Sequence, residues 1–377
     1  MKKITYIYGN LPAYRKDFFT KLSDCLKKEG IAFAVMYGTV TDKKEVRQDK
    51  GNTYKKFAFA SRFVNFGVFS LVRIPGMVKT FKREKSDAMI ISFSSTQLSM
   101  FRLVIYCLIH RIPYASWRCG YSSDDYTRLA AKIRSSIINI VEKKAQYCIT
   151  YGSYYKKVLI DKGIPRDKIV IAQNTIDVES IINENKYLVR NYENKETKVL
   201  FVGALIKKKY LETSIKAIEQ LYKDGYKVRF DIVGGGEMEM PLKQLVESKG
   251  LKGIVNIVGP KYGDDVKLYF RNHHVFLAAG LGGLAINEAM AYGLPIISTN
   301  ADWTICDLIN GNGFLMNKYG DVELQVSCLK KFIELSPHDK TIMSKRSIEI
   351  ISEKASLTNM VAKHKEVCMR LLDEKEH

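Results

Sequence analysis

The sequence predicts an α/β fold: two consecutive β/α/β domains on parallel sheets, facing a central cleft, with a C-terminal helix packing back on the first domain. Three observations predict it. Short apolar runs alternate with helix-length segments from Ile4 to Thr299, as in a sheet wrapped by crossover helices. A polar, charged stretch from Glu184 to Lys198 interrupts the alternation and has the composition of a linker. Charge is split unevenly: of a net +20, residues 1–200 carry about 36 basic and 18 acidic side chains, the remainder about 24 and 22. Two halves so different in charge face different partners. The expected domains are residues 1–190, 191–350 and a terminal helix, 351–377.

In the first half, Ile4 to Tyr8 is a strand closed by the turn Gly9-Asn10-Leu11-Pro12. A helix follows from Tyr14, with Phe18, Leu22, Cys25 and Leu26 at helical spacing. Gly30 ends it, and Ile31 to Tyr37 is the next strand. That unit implies a right-handed parallel crossover. Arg15, near the helix start, is either an anion contact or a solvated basic residue. Lys43 to Lys56 reads as a loop. Phe57 to Lys85 interleaves aromatic residues such as Phe63, Phe66 and Phe69 with Arg62, Arg73, Lys79 and Lys82. It is either a segment lying in a membrane interface or a core helix with a solvated basic face. Ala88–Phe93 and Pro113–Trp117 are strands around a helix, Gln97–His110. Arg118 stands at the carboxyl end of the second strand, where open α/β sheets bind ligands. A helix over Ala130–Ala145, a strand over Tyr147–Tyr151, a helix over Tyr154–Lys162 and a strand over Ile169–Ala172 complete the half.

The second half repeats the scheme. Lys198–Val202 is a strand followed by Gly203, Ala204 and the lysines 207–209, then a helix, Leu211–Lys223. Three lysines after a strand can meet a diphosphate as point charges, although such runs are commonly only solvated. Val228–Val233 ends in Gly234-Gly235-Gly236 without GxGxxG spacing, and a helix over Glu239–Lys249 follows. Then come a strand over Ile254–Val258, a helix over Asp264–Phe270 and a strand over Val275–Ala278. Residues 279–299, AGLGGLAINEAMAYGLPIIST, read as glycine loop, helix and strand. The loop is either an ordinary tight turn or an anion site, because helix N-termini present unpaired N–H groups. Met343–Glu374 reads as mostly helical.

Composition excludes several classes. Seven scattered cysteines form no CxxC pair, so no disulfide framework or zinc site is expected. No metal and no cofactor is expected. No uncharged apolar run reaches the roughly 18 residues of a spanning helix. The start Met1-Lys2-Lys3 enters a strand at once, too short for a signal peptide, so a cytoplasmic chain is expected. No nucleic-acid module is visible.

The second half resembles the retaining glycosyltransferase family 4, through KVLFVGALIKKK, FDIVGGGEMEMPLKQL, VNIVG, HHVFLAAG, GLGGLAINEAMAYGLPIIST and INGNGFLM in that order. The first half is more weakly similar through YCITYGSYYKKVLIDKGIPRDKIVIAQNTID, and YIYGNLPAYRKDFF resembles enzymes of bacterial surface-polysaccharide synthesis. The resemblance implies the two-Rossmann GT-B fold and metal-independent, retaining transfer from a nucleotide-diphospho sugar to a glycan or lipid-pyrophosphate-linked acceptor. It implies ribose contact by Glu288, phosphate contact by backbone donors of Leu281, Gly282, Gly283 and Leu284, and diphosphate pairing by Lys209 beside Lys208. Gly203, Gly234 and Gly280 line the donor side, Pro260 and Tyr262 flank the base, and Asn10, Tyr14 and Arg15 are assigned to the acceptor. Arg118, Lys209 and Glu288 form the expected catalytic set. Three positions depart from the family: its Glu eight residues before Glu288 is Gly280, its Arg beside Gly203 is Ala204, and its His after Trp117 is replaced by Arg118 and Cys119. The basic half suits an anionic membrane surface, placing the chain peripherally on the inner face of the membrane. A non-catalytic membrane- or partner-binding protein and a nucleotide-sugar epimerase are the rival readings.

Overall fold

The computed structural model describes residues 1–39, 54–66, 69–120, 128–193, 195–300 and 303–374. Asp124-Asp125 and most of the Lys43–Lys56 stretch lie outside them. The chain divides into two compact units, residues 1–173 with 358–377, and residues 174–357. The division therefore precedes the expected 190/191 boundary, and the last helix belongs to the first unit.

The first unit runs β1 (Lys3–Tyr8), α1 (Lys16–Lys28), β2 (Ala32–Thr39), β3 (Lys55–Ala60), β4 (Arg62–Phe66), β5 (Phe69–Arg73), α2 (Met77–Glu84), β6 (Ala88–Ile91), α3 (Leu98–Ile109), β7 (Tyr114–Arg118), α4 (Arg128–Lys144), β8 (Tyr147–Thr150), α5 (Ser153–Asp161) and β9 (Ile169–Ile171). Seven strands form one sheet in the order β3-β2-β1-β6-β7-β8-β9, parallel throughout. β1, β6 and β7 are nearly continuous runs of buried side chains, as a sheet covered on both faces requires.

One expectation is corrected here. Phe57–Lys85 is not one amphipathic helix. It holds the end of β3, the antiparallel hairpin β4–β5, and only then α2. In β3 burial alternates, with Phe57 and Phe59 inward, which is a period of two rather than 3.6. Ile74-Pro75-Gly76 then breaks the chain, Gly76 taking φ 86° just before α2.

The second unit runs α6 (Val178–Glu184), β10 (Thr197–Val202), α7 (Leu211–Lys223), β11 (Val228–Val233), α8 (Glu239–Ser248), β12 (Val255–Gly259), α9 (Asp264–Asn272), β13 (Val275–Ala278), α10 (Leu284–Ala291), β14 (Ile296–Thr299), β15 (Gly313–Met316), α11 (Val322–Glu334) and α12 (Pro337–Lys354). Its sheet order is β12-β11-β10-β13-β14-β15, again all parallel. Met343–Glu374 divides between α12 and α13 (Leu357–Asp373).

The 184–198 stretch is not a solvated tether. Arg190 is half-buried and its guanidinium donates to the carbonyls of Phe270 (3.1 Å), Arg271 (3.1 Å), His273 and Tyr292 (2.7 Å). It thereby caps the ends of α9 and α10, where helices leave carbonyls unpaired. Tyr192 is buried in the core of the same unit.

Candidate functional site

In each sheet one strand is flanked by neighbours reached in opposite directions. In the second unit β10 lies between β11 and β13, so the loops leaving β10 and β13 meet at a topological switch point, the usual ligand crevice of such sheets. They are residues 203–210 and 279–283, the glycine and lysine segments singled out above.

The two loops are locked together. Leu281 N–H donates to the Lys208 carbonyl at 3.2 Å. Lys209 Nζ donates to the carbonyls of Leu281 and, at 3.4 Å, Gly282. Thr299 Oγ1 donates to the Gly280 carbonyl at 3.1 Å, and Gly320 N–H to that of Ala279 at 3.1 Å. The Leu281 amide is thus spent on the scaffold. The start of α10 is organised instead by Gly283, whose φ of 70° lies where only glycine is unstrained. It sets the start of α10, where Ile286 N–H closes on the Gly283 carbonyl at 3.2 Å; helix starts leave amides unpaired and carry partial positive charge.

Gly280 is held by steric demand. A Cβ there would run into the Lys208 carbonyl, with the Tyr210 ring at 2.9 Å and Lys209 Cα at 3.0 Å. Tyr210 itself takes φ 54° and stacks near Tyr319, ring centroids 6.4 Å apart. Gly203 and Gly234 are a second close approach: a Cβ on Gly234 would meet the Gly203 carbonyl. Leu205 N–H donates to Gly235 O at 3.0 Å. The glycine triplet therefore lets the β10 and β11 exits stack. Lys208, Pro260 and Tyr262 are exposed, the last two following β12 at the sheet edge.

Glu288 lies on α10, partly buried. Burial pushes its carboxyl up to about 7, against a weak opposing pull from Lys267. The carboxylate makes no hydrogen bond with another described residue. Neighbouring Asn287 is used structurally, donating from Nδ2 to the Asn174 carbonyl at 2.9 Å. Asp231 and His273 form a separate buried pair, Nε2 to Oδ2 at 3.0 Å. With Asn256 (2.6 Å) also donating to Asp231, this pair holds the carboxyl down at about 2 against its burial. The pair ties β11 to the end of α9 and is a scaffold.

The first-unit candidates are scattered. Asn10 and Tyr14 are exposed after β1. Arg15 is turned inward: only 1% exposed, it donates to Tyr151 OH at 2.8 Å and to Met360 Sδ of α13 at 3.5 Å. Its guanidinium lies 4.7 Å from the Trp117 ring centre. The expectation of a cation presented to a ligand is corrected, because α13 and the aromatic rings enclose it. Arg118 stands 3.8 Å from the buried Glu142 carboxylate, which also accepts from Tyr155 OH at 2.7 Å. Glu142 was missed in the sequence. Its signal is that it stands as the one acid of an otherwise acid-free helix.

Two Rossmann-like domains on parallel sheets, each with a switch-point crevice, are the GT-B architecture of glycosyltransferases. Residues 183–348 match the family model described as glycosyl transferases group 1. Escherichia coli WcaL, named for colanic acid biosynthesis, is 30% identical over 148 residues, 36% of this chain and 35% of WcaL. The match thus spans about a third of that relative's length. Staphylococcus aureus CapM, named for capsular polysaccharide biosynthesis, is 26% identical over 256 residues, 61% of this chain and 67% of CapM. Among solved structures, Anabaena HepE in complex with UDP superposes with a TM-score of 0.72 at 15% identity, covering 98% of this chain and all of HepE.

Proposed function

We propose that this chain is a retaining, metal-independent glycosyltransferase of bacterial capsule, lipopolysaccharide or exopolysaccharide synthesis. It moves a sugar from a nucleotide-diphospho sugar to a glycan or lipid-linked acceptor. The observation that carries the reading is Glu288: a partly buried carboxyl with no hydrogen bond to another described residue, one helix turn behind a glycine loop at the switch point. A carboxylate partly withdrawn from water gains from hydroxyl donors, and a ribose supplies two. HepE has been solved with UDP and with UDP-glucose, which supports the nucleotide assignment.

In this reading the diphosphate lies against the first amides of α10. Lys209, already aimed at the loop, adds a positive charge. Charge that develops on the leaving phosphate is met by dipoles fixed before reaction. The acceptor hydroxyl attacks the anomeric carbon from the face the diphosphate leaves. The C–O bond to phosphate breaks as the new glycosidic C–O bond forms, and the departing phosphate oxygen takes the hydroxyl proton. The acceptor is assigned to the basic first unit, and a lipid-linked acceptor places the protein peripherally at the cytoplasmic face of the membrane.

One observation favours the non-catalytic alternative. Gly280 supplies no carboxylate, and its surroundings admit none. A thermal-shift screen with UDP, GDP, dTDP and CMP decides between them. A nucleotide at 100 times its Kd stabilises a fold by roughly 2.7 kcal/mol. The proposal expects one base to do so, the stabilisation to vanish in Glu288→Ala, and transfer to persist in EDTA. No stabilisation by any base overturns it.

A further inference from the structure

We propose that the solvent face of α3 and α4 is a docking surface for an anionic lipid bilayer. This deepens the membrane part of the reading above and rests on it only for the purpose docking serves. Strands β6, β7 and β8 are consecutive in the sheet. Two successive right-handed crossovers therefore put α3 and α4 side by side on one face. Their inner sides meet in one core, Met100, Leu103, Val104 and Cys107 with Val141.

Their outer sides are not polar. Phe101, Ile105 and Ile109 recur at helical spacing along α3, and Ile133 and Ile140 along α4. All five are exposed, Ile109 at 70% and Ile140 at 61%. Single exposed apolar residues are ordinary, whereas five on two neighbouring helices mark an interaction surface. Among the described residues of these two helices the exposed charge has one sign. From Ala88 to Gly120 the sequence has no Asp or Glu, and the one acid of α4, Glu142, is buried. Arg102 and Arg111 are exposed beside the first stripe, and Lys132, Lys143 and Lys144 beside the second.

That combination fits a headgroup boundary: apolar side chains enter the acyl region while the cations meet lipid phosphates. A second copy of this chain fits poorly, since a two-fold contact would set like charge against like. No helix among the described residues is long and apolar enough to cross a membrane, so the contact is one of lying on the surface. It puts the membrane contact on the two helices that follow Phe57–Lys85, the stretch for which a membrane interface is one of two sequence readings.

The test is co-sedimentation of the full chain with vesicles of phosphatidylcholine alone or mixed with phosphatidylglycerol, without nucleotide or acceptor. Binding is expected to the mixed vesicles only, and to weaken in high salt. The double variant Ile109→Glu with Ile140→Glu is expected to lose roughly tenfold or more in affinity. Lys143→Ala with Lys144→Ala is expected to lose less, together with part of the salt dependence. Unchanged melting temperatures show that these exposed changes leave the fold intact. Wild type that ignores the mixed vesicles, or an Ile variant that binds as well as wild type, overturns the proposal. So does a dimer seen by light scattering that the same variants dissolve, which reassigns the face to a second copy. A chain that binds vesicles but no nucleotide keeps this inference and loses the donor reading; the converse result separates them equally.

Discussion

The Lys208 carbonyl occupies the space into which a Cβ on Gly280 would project, and it accepts the N–H of Leu281 next to it. The obstacle is backbone, so it does not swing aside like a side-chain tip. Gly280→Ala is expected to cost about 1–3 kcal/mol, as overpacking does elsewhere. Gly280→Glu, which restores the carboxylate seen at that place in the similar family, is expected to cost at least as much and to add no transfer activity. Urea melts and a product assay on the two variants check this. A Gly280→Glu protein as stable as wild type would show that the 207–210 turn yields.

Glu288 is expected to trade stability for binding. Its ordinary carboxyl value is 4.5, and burial raises it to about 7. A group raised in the folded state stabilises below its unfolded value, and that stability is lost as pH rises through the folded value. Each pH unit separating the folded and unfolded values is worth about 1.4 kcal/mol. Glu288→Gln, which cannot ionise, should therefore be more stable than wild type at pH 8, by up to about 3 kcal/mol. At pH 4 the two should coincide. The same change should abolish stabilisation by nucleotide. Equal melting temperatures for the two proteins at pH 8 would remove the desolvation argument.

His274 pulls the other way. Burial, reinforced by nearby Arg190 and Lys198, lowers it from 6.5 to about 4, and neutral Nδ1 accepts the Lys198 N–H at 3.1 Å. The unfolded chain takes up this proton first, so stability falls as pH drops from about 6.5 to 4, by about 3 kcal/mol in all. Over that window Glu288 gains what His274 loses, and wild type should look nearly flat. The loss should emerge in the Glu288→Gln background. Urea melts of that variant from pH 7 to pH 4 read it directly, and a flat profile there contradicts it.

The sequence carries some of this fold and hides the rest for definable reasons. The second sheet is readable because β10, β11, β12 and β13 are short apolar runs with a glycine within two residues of their ends, and Lys209 and Gly283 fall in the loops that follow, with Glu288 on the helix after the last of them. β3 is hard to read because Lys55-Lys56-Phe57-Ala58-Phe59-Ala60 is too short to separate a period of two from 3.6 once the basic residues after it are included. Arg190 resembles part of a tether because its four carbonyl partners lie about 80 to 100 residues away, and charge alone says nothing about burial. The contact of Lys208 with Gly280 is hidden for the same reason. The sequence shows a missing Glu but not the backbone that occupies its place.

Arg15 carries the last prediction. In the structure it is a clamp rather than a ligand contact, holding α13 to the sheet through Met360, Tyr151 and the Trp117 ring. His364, also on α13, completes the clamp, with Nδ1 2.9 Å from Tyr6 OH. Lysine keeps the charge but not the planar fork that can stack on indole and reach two partners at once. Arg15→Lys is therefore expected to cost about 2 kcal/mol, the scale of a desolvated cation–π contact. It should accelerate amide exchange in residues 358–373 while leaving the acceptor KM unchanged. A variant with native exchange in α13 but a raised acceptor KM would return Arg15 to the acceptor site, and the enclosure seen here would then have to open during turnover.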